Sequence, residues 1–151
     1  DYRTMTRGTG LIHRIFDSYR PASKMGRADR RRGVLVSMAD GAAVSYGLFN
    51  LQARGRLLIG AGAPVYEGLV VGIHQRDNDL AVNPMKAKQL TNVRASGTDD
   101  AVVLTPALQF SLEETLEFIA DDELVEVTPD ALRIRKRLLK EHERRSAARK
   151  K

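Results

Sequence analysis

Residues 83–100 (NPMKAKQLTNVRASGTDD) hold the side chains best placed to do chemistry in this sequence of 151 residues. Lys86, Lys88 and Arg94 supply cations, and Asn83, Gln89, Thr91, Asn92, Ser96 and Thr98 interleave amides and hydroxyls with them. Cations attract phosphate oxygens, while amides and hydroxyls bond phosphate, ribose 2′-OH and base edges. The stretch has no aromatic residue, so it offers no stacking platform for unpaired bases. The pattern favours structured RNA read by backbone and shape. The plain alternative is a solvated surface loop, since long loops in compact domains are either functional or mobile. Only Met85, Leu90 and Val93 are available to anchor it, which predicts mobility in the unbound chain.

Catalytic constellations are missing from the sequence. There is no Cys, which excludes disulfides, thiolate nucleophiles and cysteine metal sites. No GxxxxGK[ST], GxSxG, HExxH or dinucleotide fingerprint occurs. Gly8-Thr9-Gly10 and Gly60-Ala61-Gly62 read as turns or bulges. His74 lies near Asp77 and Asp79, but the RDND stretch fits an Asx-type turn better than a metal site. Asp99/Asp100 and Asp121/Asp122 are adjacent pairs whose side chains diverge on a strand, so they read as solvated turn residues. No run is long and apolar enough for a membrane-spanning helix, and no signal peptide opens the chain. The expectation is a soluble, cytoplasmic piece of a longer protein, because the chain starts at Asp1 rather than Met.

Charge is distributed unevenly. The net charge is +6. Residues 133–151 carry ten Lys/Arg against two Glu, a net of +8, and residues 1–132 carry fifteen basic against seventeen acidic residues, a net of −2. A second basic cluster, Arg20, Lys24, Arg27, Arg30, Arg31 and Arg32, lies in a Pro/Gly-containing stretch. Two basic segments around a near-neutral body point to a polyanion partner, or else to solvated charge on a linker and a tail.

These side chains need elements to position them. Residues 2–19 read as an extended segment with partial alternation through Leu11, His13 and Ile15 and no neighbouring partner, like the last strand of another domain. Val34, Val36 and Met38 alternate, Asp40-Gly41 predicts a hairpin turn, and Val44, Tyr46 and Leu48 alternate again. Residues 51–55 predict a short turn, 56–59 a third strand, and 64–74 a buried strand broken near Gly68. Residues 80–82 and 101–104 predict further strands. Ser111 with Glu114 predicts a capping box opening one helix, with an apolar stripe of Leu112, Leu116 and Ile119. Residues 123–127 and 131–135 predict a hairpin, and 140–151 a charged end, helical or disordered. The fold class is α+β, β-rich with one amphipathic helix.

Several strings are distinctive: RTMTRGTGLIHRIFDSYRP, GVLVS with DGAAVSYGLFNLQARG, PVYEGLVVGIHQRDNDLAVN, KQLTNVRASGTDDAVVL and SLEETLEFIADDELVEVTPDALRIRKR. Together they resemble the C-terminal part of the BipA/TypA family of translational GTPases, almost without gaps from about residue 3 to residue 137. YEGxxxGxH and LTNxRASGTD carry most of the specificity.

The resemblance implies a parent with a GTPase domain, a β-barrel domain, two elongation-factor-G-like α/β domains and a family-specific C-terminal domain. Residues 1–20 are then the end of the last factor-G-like α/β domain, 21–32 a basic linker, 33–137 the family-specific domain and 138–151 a basic tail. GTP and Mg belong to the parent's GTPase domain, leaving these residues without catalytic, cofactor, metal or small-molecule roles. The implied partner is the ribosome: its large subunit, rRNA and the acceptor arm of A-site tRNA, in large-subunit assembly and stress-adaptive translation. The family's RNA-contacting loop matches residues 81–101, which makes Lys86, Lys88, Gln89, Asn92, Arg94 and Ser96 the implied contacts. Arg30, Arg31, Arg32, Arg135, Lys136 and Arg137 are expected as auxiliary phosphate contacts. Arg30 to Arg32 are more basic than the family's usual pattern there. A structural or protein-interaction domain, using the acidic helix around Glu113, Glu114 and Glu117, is the alternative.

Overall fold

The computed structural model describes residues 6, 9–13, 15–19, 30, 32–87 and 103–149. Among the described residues the elements run β1 (Val34–Ser37), β2 (Gly41–Ala42), α1 (Ser45–Gln52), β3 (Gly55–Leu57), β4 (Pro64–Val65), β5 (Val70–His74), β6 (Leu80–Val82), α2 (Leu112–Phe118), β7 (Glu123–Val127), β8 (Leu132–Lys136) and α3 (Glu141–Ala148). The architecture is β-rich α+β.

β1 is a continuous buried run, as a strand covered on both faces must be. It sits inside a four-stranded mixed sheet of order β3-β5-β1-β6, antiparallel to β5 and parallel to β6. Leu35 and Val71 face one core with Leu48, Leu51, Leu57 and Val82. Val34, Val36 and Val70 face a second core with Ile134, backed by Phe110, Phe118 and Ile119. The sheet is therefore a middle layer, with α1 on one side and α2 and the β7-β8 hairpin on the other.

Three expectations change here. The hairpin at Asp40-Gly41 is replaced by a pairing of β2 with the distant β4, and residues 45–52 form helix α1 rather than a second alternating strand. Leu48 and Leu51, one helical turn apart, are both buried. Their burial is worth about 1.5–3 kcal/mol each, more than the roughly 1 kcal/mol span of strand propensity. The strand expected at 101–104 is absent from residues 103 and 104, while 101 and 102 lie outside the described residues.

The capping box of α2 forms as expected, with the Ser111 hydroxyl accepting from the Glu114 N–H and the Glu114 carboxylate accepting from the Ser111 N–H. Of the expected apolar stripe only Ile119 packs inward, against the second core. Leu112 and Leu116 are 43% and 46% exposed, whereas Thr115 is 1% exposed. Thr115 can be buried because its hydroxyl donates to the Ser111 carbonyl at 2.7 Å, leaving its methyl group to pack. The β7-β8 hairpin matches expectation within a residue. Gly68, at the predicted break, has φ +93°, and Leu139 packs against its bare Cα. The described part of residues 2–19 lies in no strand.

Candidate nucleic-acid interface

α1 holds both roots of the segment that carries the cations. On the near side, the Val44 N–H donates to the Pro84 carbonyl at 3.0 Å, and the Met85 N–H donates to the Asn83 side chain at 2.9 Å. Pro84 lies so close to α1 that a Cβ on Gly47 would meet its carbonyl group. Mid-helix glycine costs about 1 kcal/mol relative to alanine, and here it admits a backbone no other residue could admit. On the far side, the Gln52 side chain accepts from the Thr105 N–H at 2.5 Å and donates to the Val103 carbonyl at 3.5 Å. Leu104 packs against the first core, and the Leu108 N–H donates to the Leu57 carbonyl at 2.9 Å. The eight-residue helix α1 and its N-cap thus hold Pro84 on one side and Val103 and Thr105 on the other, the described residues that flank 88–102.

Of the expected RNA contacts, Lys86 is exposed at the near root, with no ion pair or side-chain hydrogen bond among the described residues. Lys88, Gln89, Asn92, Arg94 and Ser96 lie outside the described residues, as does Arg31, and the expected mobility of the loop falls there too. Arg32 and Arg137 are exposed.

Arg30, Arg135 and Lys136, expected as phosphate contacts, have other partners. Arg30 grips Glu123 with both terminal nitrogens, at 2.7 and 2.8 Å, and lies over the Phe118 ring at 4.6 Å. Lys136 is 2% exposed, its ammonium 2.9 Å from Glu123, 2.9 Å from Asp122 and 2.5 Å from Asp79. Arg135 Nε lies 2.7 Å from Glu126 Oε1. A buried cation surrounded by carboxylates has no charge left to offer a phosphate. Arg30 staples the segment before β1 to the β7-β8 hairpin, Lys136 ties the β5–β6 turn to it through Asp79, and the part-exposed Arg135 pairs with Glu126 across the hairpin itself.

The electrostatics of the staple are self-consistent. Burial alone would raise the Glu123 pKa, but Arg30, the Ala120 N–H and Lys136 outweigh it and hold the carboxyl below its ordinary value. Burial would likewise lower Lys136, and Asp79, Asp122 and Glu123 together raise it instead. Both groups therefore stay charged across the neutral range.

The YEG string at residues 66–68 is structural. The Tyr66 hydroxyl donates to Glu126 at 2.6 Å, and burial, then that bond, pushes its ionisation up. Glu67 accepts from the Glu141 N–H at 2.9 Å and the Lys140 ammonium at 2.8 Å, so it caps the first turn of α3. Residues 140–149 of the basic tail are thereby docked on the body. Sequence reasoning missed Gln52 and Gly47. The one available signal was a glycine inside an apolar-alternating stretch, which marks a close backbone approach.

The profile of the TypA/BipA C-terminal domain matches residues 32–141. Three proteins named large ribosomal subunit assembly factor BipA, from Haemophilus influenzae, Salmonella typhimurium and Escherichia coli K12, are each 54% identical over 149 residues, 99% of this chain. The chain spans about a quarter (24%) of the length of these relatives. The profile covers every strand from β1 to β8, and the chain belongs to the TypA/BipA C-terminal domain family.

Proposed function

We propose that this chain is the ribosome- and RNA-binding module of a translational GTPase that acts in large-subunit assembly and stress-adaptive translation in the cytoplasm. Residues 83–100 contact A-site tRNA and rRNA, with Lys86, Lys88, Gln89, Asn92, Arg94 and Ser96 as the contacting side chains. Arg31, Arg32 and Arg137 remain as auxiliary phosphate contacts. The observation that carries this reading is the clamp: α1 grips both roots of the cation-bearing segment, and Lys86 projects unpaired from one of them. The relatives' name, large ribosomal subunit assembly factor, supports the same partner.

In this reading residues 1–20 end a factor-G-like domain, which accords with the exposure of Leu11, Ile15, Phe16 and Tyr19. Residues 33–137 form the module and 138–151 its tail. GTP and Mg are assigned to the parent's GTPase domain. Among the described residues no three His, Asp or Glu side chains are arranged to hold a metal.

Co-sedimentation with purified large ribosomal subunits across a salt series tests the proposal. The triple variant Lys86→Ala, Lys88→Ala, Arg94→Ala is expected to bind more weakly, with a salt slope shallower by about three charges' worth. Unchanged binding and slope overturn it.

A second reading has its own observation. Leu112 and Leu116 are exposed on α2 beside the exposed Glu113 and Glu117, a surface a protein neighbour could cover. RNase treatment of the captured complex separates the two readings, abolishing RNA-borne association and sparing protein contact.

A further inference from the structure

A second polar groove opens beside the near root, and its chemistry is one-sided. It holds about 840 Å³ between the end of α1 and the turn joining β5 to β6. Among the described residues its lining includes Arg54, Arg76 and Lys86 but no Asp or Glu, in a chain with 19 acidic residues. Asp77, in the same turn, does not line it. Among the described residues the side chains of Arg54 and Arg76, like that of Lys86, have no ion pair or hydrogen bond. Asn50, His74, Gln75, Asn78 and Asn83 complete the described polar lining.

The groove is built on rigid backbone. The Gln75 N–H donates to the Arg54 carbonyl at 3.0 Å, tying one wall to the other. The Arg76 carbonyl accepts from the Gly33 N–H at 2.8 Å, and His74 Nδ1 lies 2.6 Å from the Asn78 carbonyl, fixing the turn. The C-terminal carbonyls of α1 contribute about half a negative charge, which three cations exceed several-fold. Unpaired guanidiniums held on fixed backbone are suited to bidentate recognition of phosphate oxygens. The amides are suited to 2′-OH groups, and the described lining has no Phe, Tyr or Trp to stack a base, while the His74 ring is buried with its Nδ1 against the Asn78 carbonyl.

We propose that this groove is a second RNA contact, in which Arg54, Arg76 and Lys86 hold consecutive phosphates of a base-paired RNA strand. It continues the loop's contact onto the rigid body, so Lys86 belongs to both. The inference rests on the reading above that the partner is RNA, and it does not require the loop contacts themselves.

The test measures binding of a labelled 24-base-pair RNA duplex to the whole 151-residue chain by fluorescence anisotropy over a salt series. It compares the unaltered chain, R54A/R76A, K88A/R94A and the variant combining all four changes. The altered arginines are exposed, so an unchanged Tm accompanies R54A/R76A. The expected result is about a tenfold weaker affinity near 0.1 M salt and a slope shallower by about two for R54A/R76A, with a similar loss when the change is made in the K88A/R94A background. If only K88A/R94A weakens binding, the groove is overturned and the loop reading stands. If only R54A/R76A weakens it, the groove is upheld and the loop reading falls. If a 20-residue polyglutamate binds with the same arginine dependence while the duplex does not, the groove serves an acidic protein and the RNA assignment is overturned.

Discussion

Glu123 and Lys136 face each other on the first rung of the β7-β8 hairpin, with their charged atoms 2.9 Å apart and both side chains sealed from water. Arg30 approaches the same carboxylate from outside the hairpin. Glu123 is the one fully buried carboxylate of the group, and without it Arg30 and Lys136 are left to the more exposed Asp79 and Asp122. Glu123→Ala is expected to lower unfolding free energy by about 3–5 kcal/mol, read from urea denaturation. Lys136→Met is expected to cost less, because Arg30 still neutralises Glu123. An order with Lys136→Met the more damaging would contradict this account of the pairing.

The same group sets a pH window. Glu123 titrates below its ordinary value when folded, so its contribution is full above the unfolded carboxyl pKa of about 4.3 and is lost as pH falls through the folded value. Lys136 titrates above its ordinary value; its contribution is full below about 10.4 and is lost as pH rises through the folded value. Stability is expected to be flat from about pH 5 to about pH 10 on this account, with an acid limb that Glu123→Gln flattens. Thermal midpoints measured from pH 2 to pH 11 check both limbs.

Gly47→Ala sets two effects against each other. Helix propensity favours alanine by about 1 kcal/mol. The added Cβ, however, meets the Pro84 carbonyl carbon at 2.8 Å, and backbone does not yield as a flexible side chain does. A net loss of about 1–3 kcal/mol is expected, together with weaker RNA binding. A stabilised variant would show that the near root is free to move.

Gln52→Ala removes two tethers at the far root while leaving the buried face of α1 intact. Stability is expected to change by less than about 1 kcal/mol, whereas amide exchange at Thr105 accelerates and ribosome affinity falls several-fold. Equal exchange rates at Thr105 in both proteins would remove Gln52 from the clamp.

Glu67→Ala is expected to free α3. Limited proteolysis should then cut within 141–148 in the variant and spare the unaltered chain, since both contacts at the start of that helix use this carboxylate.

What the sequence disclosed follows how local each determinant is. The Ser111–Glu114 box and the β7-β8 hairpin depend on residues three to thirteen positions apart, and both were legible. α1 was not, because Val44, Tyr46 and Leu48 satisfy a two-residue period while the burial of Leu48 and Leu51 depends on strands elsewhere in the chain. Lys136 sits in the run RIRKR, which reads as a charged surface. The alternation was nevertheless present: Ile134 and Lys136 share the inward face of β8 and Arg133 and Arg135 the other. The candidate site was legible as a loop with suitable chemistry, but the helix that roots it was not.

The sheet also imposes an order of assembly. β1 needs β5 and β6, and the Val34 N–H finds the Asp79 carboxylate 45 residues downstream. Closing so large a span is entropically costly, which makes this step slow compared with the local turns. A chain emerging from its amino end has every strand of the four-stranded sheet, and α1 with it, once residue 82 has been made. The cations from Lys86 onward are synthesised after that. During synthesis the four strands and α1 can therefore pair before the loop's cations are made, whereas the sheet's second face stays open until Phe110, Phe118 and Ile134 have followed them.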